Sequence, residues 1–256
     1  MNRDDELVRY TMTRPPTEPI GDRTPILIAE IGSNPAPVWR FERWCAAARL
    51  AGATHIKAQM FKAEHFPPEE QAAKRPLEFP RERLPEFVQV AHENGLQAGV
   101  SVFDAEAVDL AARHCDFLKR AARERTNREL MGHINNALDE NRIGYYYSVT
   151  SWGLDLVWPN PPAIPLFAIQ RYATPMWYAM FRVLQAPHIM RCVNHWGWSS
   201  HTTGILDCLL AAKLGASVIE KHLRLSPDDI EAGWSLSVAE FRRMAWRIGT
   251  WNPNEH

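Results

Sequence analysis

The chain has 256 residues, of which 46% are hydrophobic, so it can bury the core of one α/β barrel of about 250 residues. Its 29 basic and 30 acidic side chains nearly cancel, which argues against a protein that binds nucleic acid or an acidic membrane surface. No apolar run reaches the roughly 18 residues of a membrane span, and the N-terminus MNRDDELVRY is too charged for a signal peptide. Four cysteines without a CxxC pair favour reduced thiols and predict a cytoplasmic protein.

Short β-prone runs alternate with helix-like segments after a polar, proline-bearing start. We predict an N-terminal arm over residues 1–24, one catalytic barrel over 25–250 and a short tail over 251–256. Eight runs are predicted to be strands: ILIAEIG (26–32), THIKAQM (54–60), LQAGVSV (96–102), FLKRAA (117–122), GYYYSV (144–149), LFAIQ (166–170), RCVNHWGWS (191–199) and ASVIEKHL (216–223). Helix candidates lie between most of them: 37–52, 84–95, 105–114, 127–142 and 202–215.

This alternation of strands and helices predicts an α/β protein with a mainly parallel sheet. Eight strands favour closure into a (β/α)8 TIM barrel, whose active site lies at the C-terminal ends of the strands. An open doubly wound sheet is the alternative. It is less favoured because no GxGxxG follows the first strand.

Two proline-rich segments interrupt the pattern. Residues 62–86 contain five prolines and are predicted to form a lid or a binding loop, with a passive surface insertion as the alternative. In SWGLDLVWPNPPAIP (151–165), the prolines forbid a regular helix, so we predict that the helix between strands five and six is short or missing. We expect a second subunit to cover the exposed flank, in a homodimer or larger assembly; alternatively the loop and the N-terminal arm cover it.

Polar side chains lie inside strand runs that should be apolar. Burying an isolated charge costs several kcal/mol, so such groups normally pair or hold a ligand. The residues concerned are Glu30, Lys57, Lys119, Ser199, His201, Glu220 and His222. Two lysines and a serine suit a phosphate or carboxylate, two histidines from neighbouring strands suit a divalent metal, and glutamates suit acid–base chemistry. Their position on one rim predicts a site that activates a small phosphorylated substrate.

Two segments are the most specific of the chain, GASVIEKH (215–222) and GWSSHTTG (197–204). The first is identical to a motif of the sialic acid synthase family, and the second is similar to that family's GYSDHTxG. Further segments resemble other motifs of the family in the same order: AEIGSNPAP (29–37), KAQMF (57–61), KRAARERTN (119–127), IQRYATP (169–175) and SLSVAEF (235–241). The resemblance covers residues 25 to 248.

The resemblance implies a TIM barrel that uses Mn²⁺ or Mg²⁺ to add phosphoenolpyruvate to the open-chain aldehyde of an amino sugar, with C–O cleavage releasing phosphate. It implies His201 and His222 as metal ligands. It implies as phosphoenolpyruvate-binding residues Lys57, Lys119, Ser148, Gln170 and Ser199. It implies as catalytic residues Glu30, Glu124, Glu220 and Tyr172, and as acceptor-binding residues Arg123, Tyr172 and Glu231.

The sequence also departs from the family pattern. Ala122 stands where the family has a serine, Arg123 where it has a glycine, and Ser200 where it has an aspartate. The family's C-terminal antifreeze-like domain has no counterpart in this chain, so we expect an acceptor site that is open, differently closed or completed by a separate protein. We also expect at least one residue of an arginine group to face the site and favour an anionic acceptor; an ordinary solvated surface is the alternative. This group is Arg120, Arg123, Arg125 and Arg171.

Two other functions stay open at this point. The barrel could bind a metal or phosphoenolpyruvate without catalysis, which the departures at Ala122 and Ser200 favour. It could also be a different aldolase-type carbon–carbon lyase, because a fold does not fix a function. A Schiff-base enzyme of that kind needs a lysine with a strongly lowered pKa.

Overall fold

A computed structural model of the chain describes residues 24–33, 40–140, 143–150, 163–191 and 193–249. Its strands are β1 (Ile26–Gly32), β2 (His55–Met60), β3 (Gln97–Val102), β4 (Phe117–Arg120), β5 (Gly144–Val149), β6 (Ala163–Ala168), β7 (Gly197–Ser200), β8 (Val218–Arg224) and β9 (Leu236–Ser237). Its α-helices are α1 (Phe41–Leu50), α2 (Pro68–Lys74), α3 (Leu84–Glu93), α4 (Ala105–His114), α5 (Arg128–Glu140), α6 (Met176–Ile189), α7 (Leu206–Lys213) and α8 (Val238–Ile248).

Strands β1 to β8 form a closed parallel barrel. Each strand pairs with the next along the chain, and β1 also pairs with β8, with Glu30 opposite His222. The short β9 adds to the end of β8. The predicted (β/α)8 TIM barrel is confirmed, and the alternative of an open doubly wound sheet is wrong because β1 and β8 close the ring.

The barrel interior changes character along the strands. In the N-terminal half it is filled by apolar side chains: Ile28, Phe117, Tyr146, Leu166 and Val218. Gly99 leaves the space that the Phe117 ring fills, since a Cβ there would lie 2.4 Å from the ring. Among the described residues, the inward side chains of the C-terminal half are mainly polar and line a cavity. The sequence therefore places a polar cavity at the C-terminal ends of the strands.

Some element boundaries differ from the prediction. Strand β6 begins at Ala163 rather than 166. Strand β7 spans Gly197–Ser200 rather than 191–199, because the chain must first return from the end of α6. The segment 62–86 is not irregular throughout, since it contains α2 and three short 3-10 turns. Helix α8, which was not predicted, begins with a capping box in which Ser237 and Glu240 satisfy each other's backbone N–H groups.

Several predictions fall outside the described residues. These are most of the arm 1–24, the tail 251–256 and the connection 151–162, which includes the predicted short or missing helix. Helix α6 exposes 74% of Trp177 and 54% of Phe181. Within the described ranges, every helix is too short or too polar to cross a membrane.

Candidate active site

A cavity of about 400 Å³ opens at the C-terminal ends of the strands. Because alternate residues of a strand share a face, the predicted inward positions converge there. The predicted site residues that line it are Glu30, Lys57, Lys119, Arg123, Ser148, Gln170, Tyr172, Ser199, His201, Glu220, His222 and Glu231.

Lys57 lies on the floor of the cavity and is almost fully buried. Its Nζ contacts Glu30 Oε2, donates to Ser101 Oγ at 2.7 Å and lies 3.6 Å from Glu220 Oε2. Burial lowers the pKa of Lys57 to about 7, although the Glu220 carboxylate partly offsets this effect. The ammonium therefore depends on nearby anions to keep its proton.

Glu220 is the shared counter-ion of this floor. Its Oε1 accepts from Lys119 Nζ at 2.5 Å and from Ser199 Oγ at 2.7 Å. Burial raises the pKa of this carboxyl, but the charges of Lys119 and Lys57 outweigh burial and hold the pKa well below its usual range. Two buried ammonium groups thus share carboxylates that a phosphate or carboxylate of a ligand could replace.

Two histidines lie above this floor, with ring centroids 5.4 Å apart. His201 Nδ1 donates to the Ile169 carbonyl at 2.7 Å, and His222 Nδ1 lies 2.7 Å from Glu231 Oε2. Burial, followed by the neighbouring His222, lowers the pKa of His201 to about 3, so its ring is neutral at neutral pH. Both rings line the cavity, and neither Nε2 has a hydrogen bond to a described residue.

This donor set fits a divalent metal. A metal-binding histidine usually anchors one ring nitrogen to a carbonyl or carboxylate and offers the other to the metal, and His201 and His222 both have such an anchor on Nδ1. Among the described residues, no group of three or more histidine, cysteine, aspartate or glutamate side chains is arranged to hold a metal. Water or substrate oxygens would complete the coordination, as Mn²⁺ and Mg²⁺ both tolerate.

Glu231 joins the β8 side of the site to the end of β1. Its Oε1 accepts from Ser33 N at 3.1 Å and from Ser33 Oγ at 2.7 Å. Burial opposes its ionisation, but His222 and the Ser33 hydrogen bonds hold its pKa at about 2. Gly32 (φ +65°) permits this approach, since a Cβ there would lie 1.8 Å from Glu231 Oε2.

The segment after β6 forms one wall of the cavity. It carries Gln170 and Tyr172, both exposed. The Tyr172 ring lies 4.2 Å from the His201 ring and 5.2 Å from the Trp234 ring, measured between centroids. An aromatic wall next to the histidines offers a surface for the apolar face of a sugar.

One predicted catalytic residue is not among the residues that line the cavity. Glu124 does not line the cavity; it belongs to the 3-10 turn 122–124, and its Oε2 accepts from Asn127 Nδ2 at 3.0 Å. The turn directs Arg123 to the cavity and Glu124 towards the start of α5. Of the arginine group, Arg120 packs its guanidinium 5.6 Å from the centroid of the Tyr147 ring on the outer side of the barrel.

Other cavity residues were not in the predicted set: Ser33, Gln59, Phe66, Lys74, Ser101, Phe103 and Trp234. Gln59 and Ser101 follow period two with Lys57 and Gly99, so strand alternation could have identified them. Phe66 and Lys74 come from segment 62–86, and no spacing in the sequence marks them.

The chain was compared with protein families, with curated protein sequences and with solved structures. Residues 166–252 match the model of the NeuB family. No curated protein sequence is significantly similar to the chain. The matched range holds the end of β6 and all of β7 and β8, and therefore both histidines and Glu220.

Solved structures share the fold. An N-acetylneuraminic acid (sialic acid) synthetase from Leptospira borgpetersenii serovar Hardjo-bovis, in complex with citrate, is 20% identical over 89% of this chain and 83% of its own, with a TM-score of 0.80. A putative spore coat polysaccharide biosynthesis protein E from Chromobacterium violaceum is 20% identical over 88% and 74%, with a TM-score of 0.73. The spore coat polysaccharide biosynthesis protein spsE from Bacillus subtilis is 21% identical over 92% and 70%, with a TM-score of 0.72.

The structural and the sequence similarities cover different parts of the chain. At about 20% sequence identity the solved structures share the fold with this chain, while the family match covers about its last third. Together they confirm that residues 166–252 resemble the NeuB family and that the chain shares its barrel fold with a sialic acid synthetase.

Proposed function

We propose that the protein is a phosphoenolpyruvate-dependent synthase that makes a sialic-acid-like 2-keto sugar acid from an amino-sugar aldehyde. One observation carries the proposal: Lys57, Lys119 and two histidines with available Nε2 atoms line the same cavity. The NeuB match and the sialic acid synthetase fold support the same reaction.

In this reaction C3 of phosphoenolpyruvate forms a bond to the aldehyde carbon, whose oxygen takes a proton. Water adds to C2, and the C2–O bond breaks to release phosphate. Bound at His201 and His222, Mn²⁺ or Mg²⁺ would supply Lewis-acid polarisation of the aldehyde.

The protein's own groups hold the substrates and move protons. Lys57 and Lys119 would bind the anionic groups of phosphoenolpyruvate, helped by donors from Ser148, Gln170 and Ser199. Glu30 and Glu220 are proposed to accept the proton of the attacking water, since both carboxylates line the cavity next to the lysines. Tyr172, Glu231 and Arg123 are proposed to contact the acceptor. We further propose that the protein is cytoplasmic and forms a homodimer. A separate protein is proposed to complete the acceptor site.

The test measures phosphoenolpyruvate consumption and phosphate release with Mn²⁺ and a panel of 2-acetamido sugars, free and phosphorylated. We expect acceptor-dependent release that disappears in His222→Ala. Tight phosphoenolpyruvate and Mn²⁺ binding without turnover would overturn the synthase proposal in favour of a non-catalytic or partner-completed barrel.

Lys57 supports a second candidate, a Schiff-base aldolase. Burial lowers its pKa to about 7, and lysines of this kind can attack carbonyl groups. Its contact with Glu30 favours the charged form and argues against this role. Borohydride trapping with pyruvate separates the two, because only a Schiff base leaves a covalent adduct on Lys57.

A further inference from the structure

The mouth of the cavity carries two cations outside the charge network of the floor. Lys74, the last residue of α2, and Arg123, on the turn after β4, both line the cavity. Within the described residues, neither has a carboxylate within 4.0 Å, whereas Lys57 and Lys119 are both paired on the floor. The described part of the chain therefore supplies no counter-ion for these two positive charges.

One aromatic ring brings the two cations together. The Arg123 guanidinium lies 4.2 Å from the centroid of the Phe66 ring, and Lys74 Nζ lies 4.8 Å from it. Both distances are within the range of a cation–π contact. The separation of the two charges cannot exceed the sum of these distances, so both cations lie at the same part of the cavity mouth.

The ring itself is held in place. Phe66 packs against a small apolar cluster of Phe61, Leu77 and Phe103. Its segment is tied to the start of α4, where Arg81 donates to Asp104 and Glu106. The cations thus project from a fixed surface rather than from a free loop.

Depth separates this pair from the floor. Lys57 and Lys119 are buried, whereas Arg123 is exposed and Lys74 is half-buried. A small substrate bound by Lys57 and Lys119 on the floor would leave the mouth of the cavity free for the second substrate. We propose that Lys74 and Arg123, aligned by Phe66, form an outer anion subsite for a phosphate or carboxylate group of the acceptor, an inference that rests on the proposed synthase function.

The test compares N-acetylmannosamine with N-acetylmannosamine 6-phosphate as acceptors, following phosphoenolpyruvate consumption. Lys74→Met and Arg123→Met are each expected to raise KM for the phosphorylated sugar roughly 10-fold, the usual effect of losing one charged hydrogen bond, with KM for phosphoenolpyruvate unchanged. The matched control is Arg75→Met, which removes the same charge from the neighbouring residue that does not line the cavity. A rise in KM for phosphoenolpyruvate instead, or no change in either KM, would overturn the subsite.

A binding measurement separates this inference from the synthase proposal. If no acceptor turns over, calorimetric titration with N-acetylmannosamine 6-phosphate in the presence of Mn²⁺ still measures the affinity of the cavity mouth for this sugar. Weaker binding in both variants, but not in Arg75→Met, would support the subsite even though the synthase proposal had failed. Equal binding by all four proteins would overturn it.

Discussion

His222 Nδ1 and Glu231 Oε2 lie 2.7 Å apart, which fixes the His222 ring and leaves its Nε2 on the cavity side. His201 has the same arrangement, with a backbone carbonyl as its partner. The available ring nitrogens come from β8 and from the end of β7, two neighbouring strands. The proposed metal site depends on these two Nε2 atoms.

Removing the metal is expected to abolish activity, and replacing one histidine is expected to weaken Mn²⁺ binding. Chelation should stop phosphate release, and added Mn²⁺ should restore it. His222→Asn should raise the Mn²⁺ concentration for half-maximal activity by at least about 10-fold, because one of two protein ligands is lost. His133→Asn, at an exposed position of α5, is the control. Equal Mn²⁺ dependence in both variants would contradict the metal site.

Gly32→Ala is expected to disturb the same histidine indirectly. The new Cβ would collide with Glu231 and displace it from His222, and losing such a supporting partner typically weakens metal binding by about 10- to 100-fold. Gly95→Ala imposes a similar positive φ of +70° where no atom lies within 4 Å. Both should lose about 1 kcal/mol of stability from the backbone alone, but only Gly32→Ala should weaken Mn²⁺ binding in a calorimetric titration.

Glu220→Gln is expected to destabilise the fold strongly. Lys57 and Lys119 would lose their shared carboxylate, and breaking a buried ion pair typically costs about 3 to 5 kcal/mol. Ser199→Ala, which removes only one hydrogen bond to Glu220, should cost about 1 kcal/mol in urea unfolding. Inorganic phosphate should recover part of the loss in Glu220→Gln, since an anion would neutralise the lysines. Equal stability of the two variants would show that Glu220 is not the counter-ion.

The pH dependence of stability should include a contribution from Asp104. Burial raises the pKa of this carboxyl, but its bonds to His65 and Arg81 outweigh burial and hold the pKa well below its usual range. A depressed pKa in the folded state stabilises the protein above the unfolded-state value of about 3.9, and this stability is lost as pH falls through the folded-state value.

Asp104→Asn should therefore cost about 1 to 3 kcal/mol at pH 7 and much less in strong acid, where the native side chain is protonated. Glu106→Gln is the control, because Glu106 pairs with Arg81 at an exposed position and should contribute less than about 1 kcal/mol. Urea unfolding of both variants across the acid range checks this expectation. A penalty for Asp104→Asn that did not change with pH would argue against the assignment.

The sequence predicted the barrel and its polar floor well, because both depend on strand periodicity. Lys57, Lys119 and Glu220 interrupt apolar runs at inward positions, so alternation alone places them inside. Glu124 was expected in the cavity, but it lies in a 3-10 turn, where side chains do not alternate between two faces as they do in a strand. Its neighbour Arg123 lines the cavity and Glu124 does not. Lys74 was missed because its position depends on how segment 62–86 folds back over the rim, which its prolines do not specify.

The counter-ion of Lys119 comes from the last strand of the barrel. Lys119 lies on β4 and pairs with Glu220 on β8, which follows it by 101 residues, whereas Lys57 on β2 already has Glu30 on β1 as a partner. A nascent chain on the ribosome has therefore made Lys119 long before its carboxylate exists, and an N-terminal half-barrel would have to bury this lysine without it. The arrangement couples closure of the ring to neutralisation of its interior, so assembly of the site and completion of the barrel are the same event.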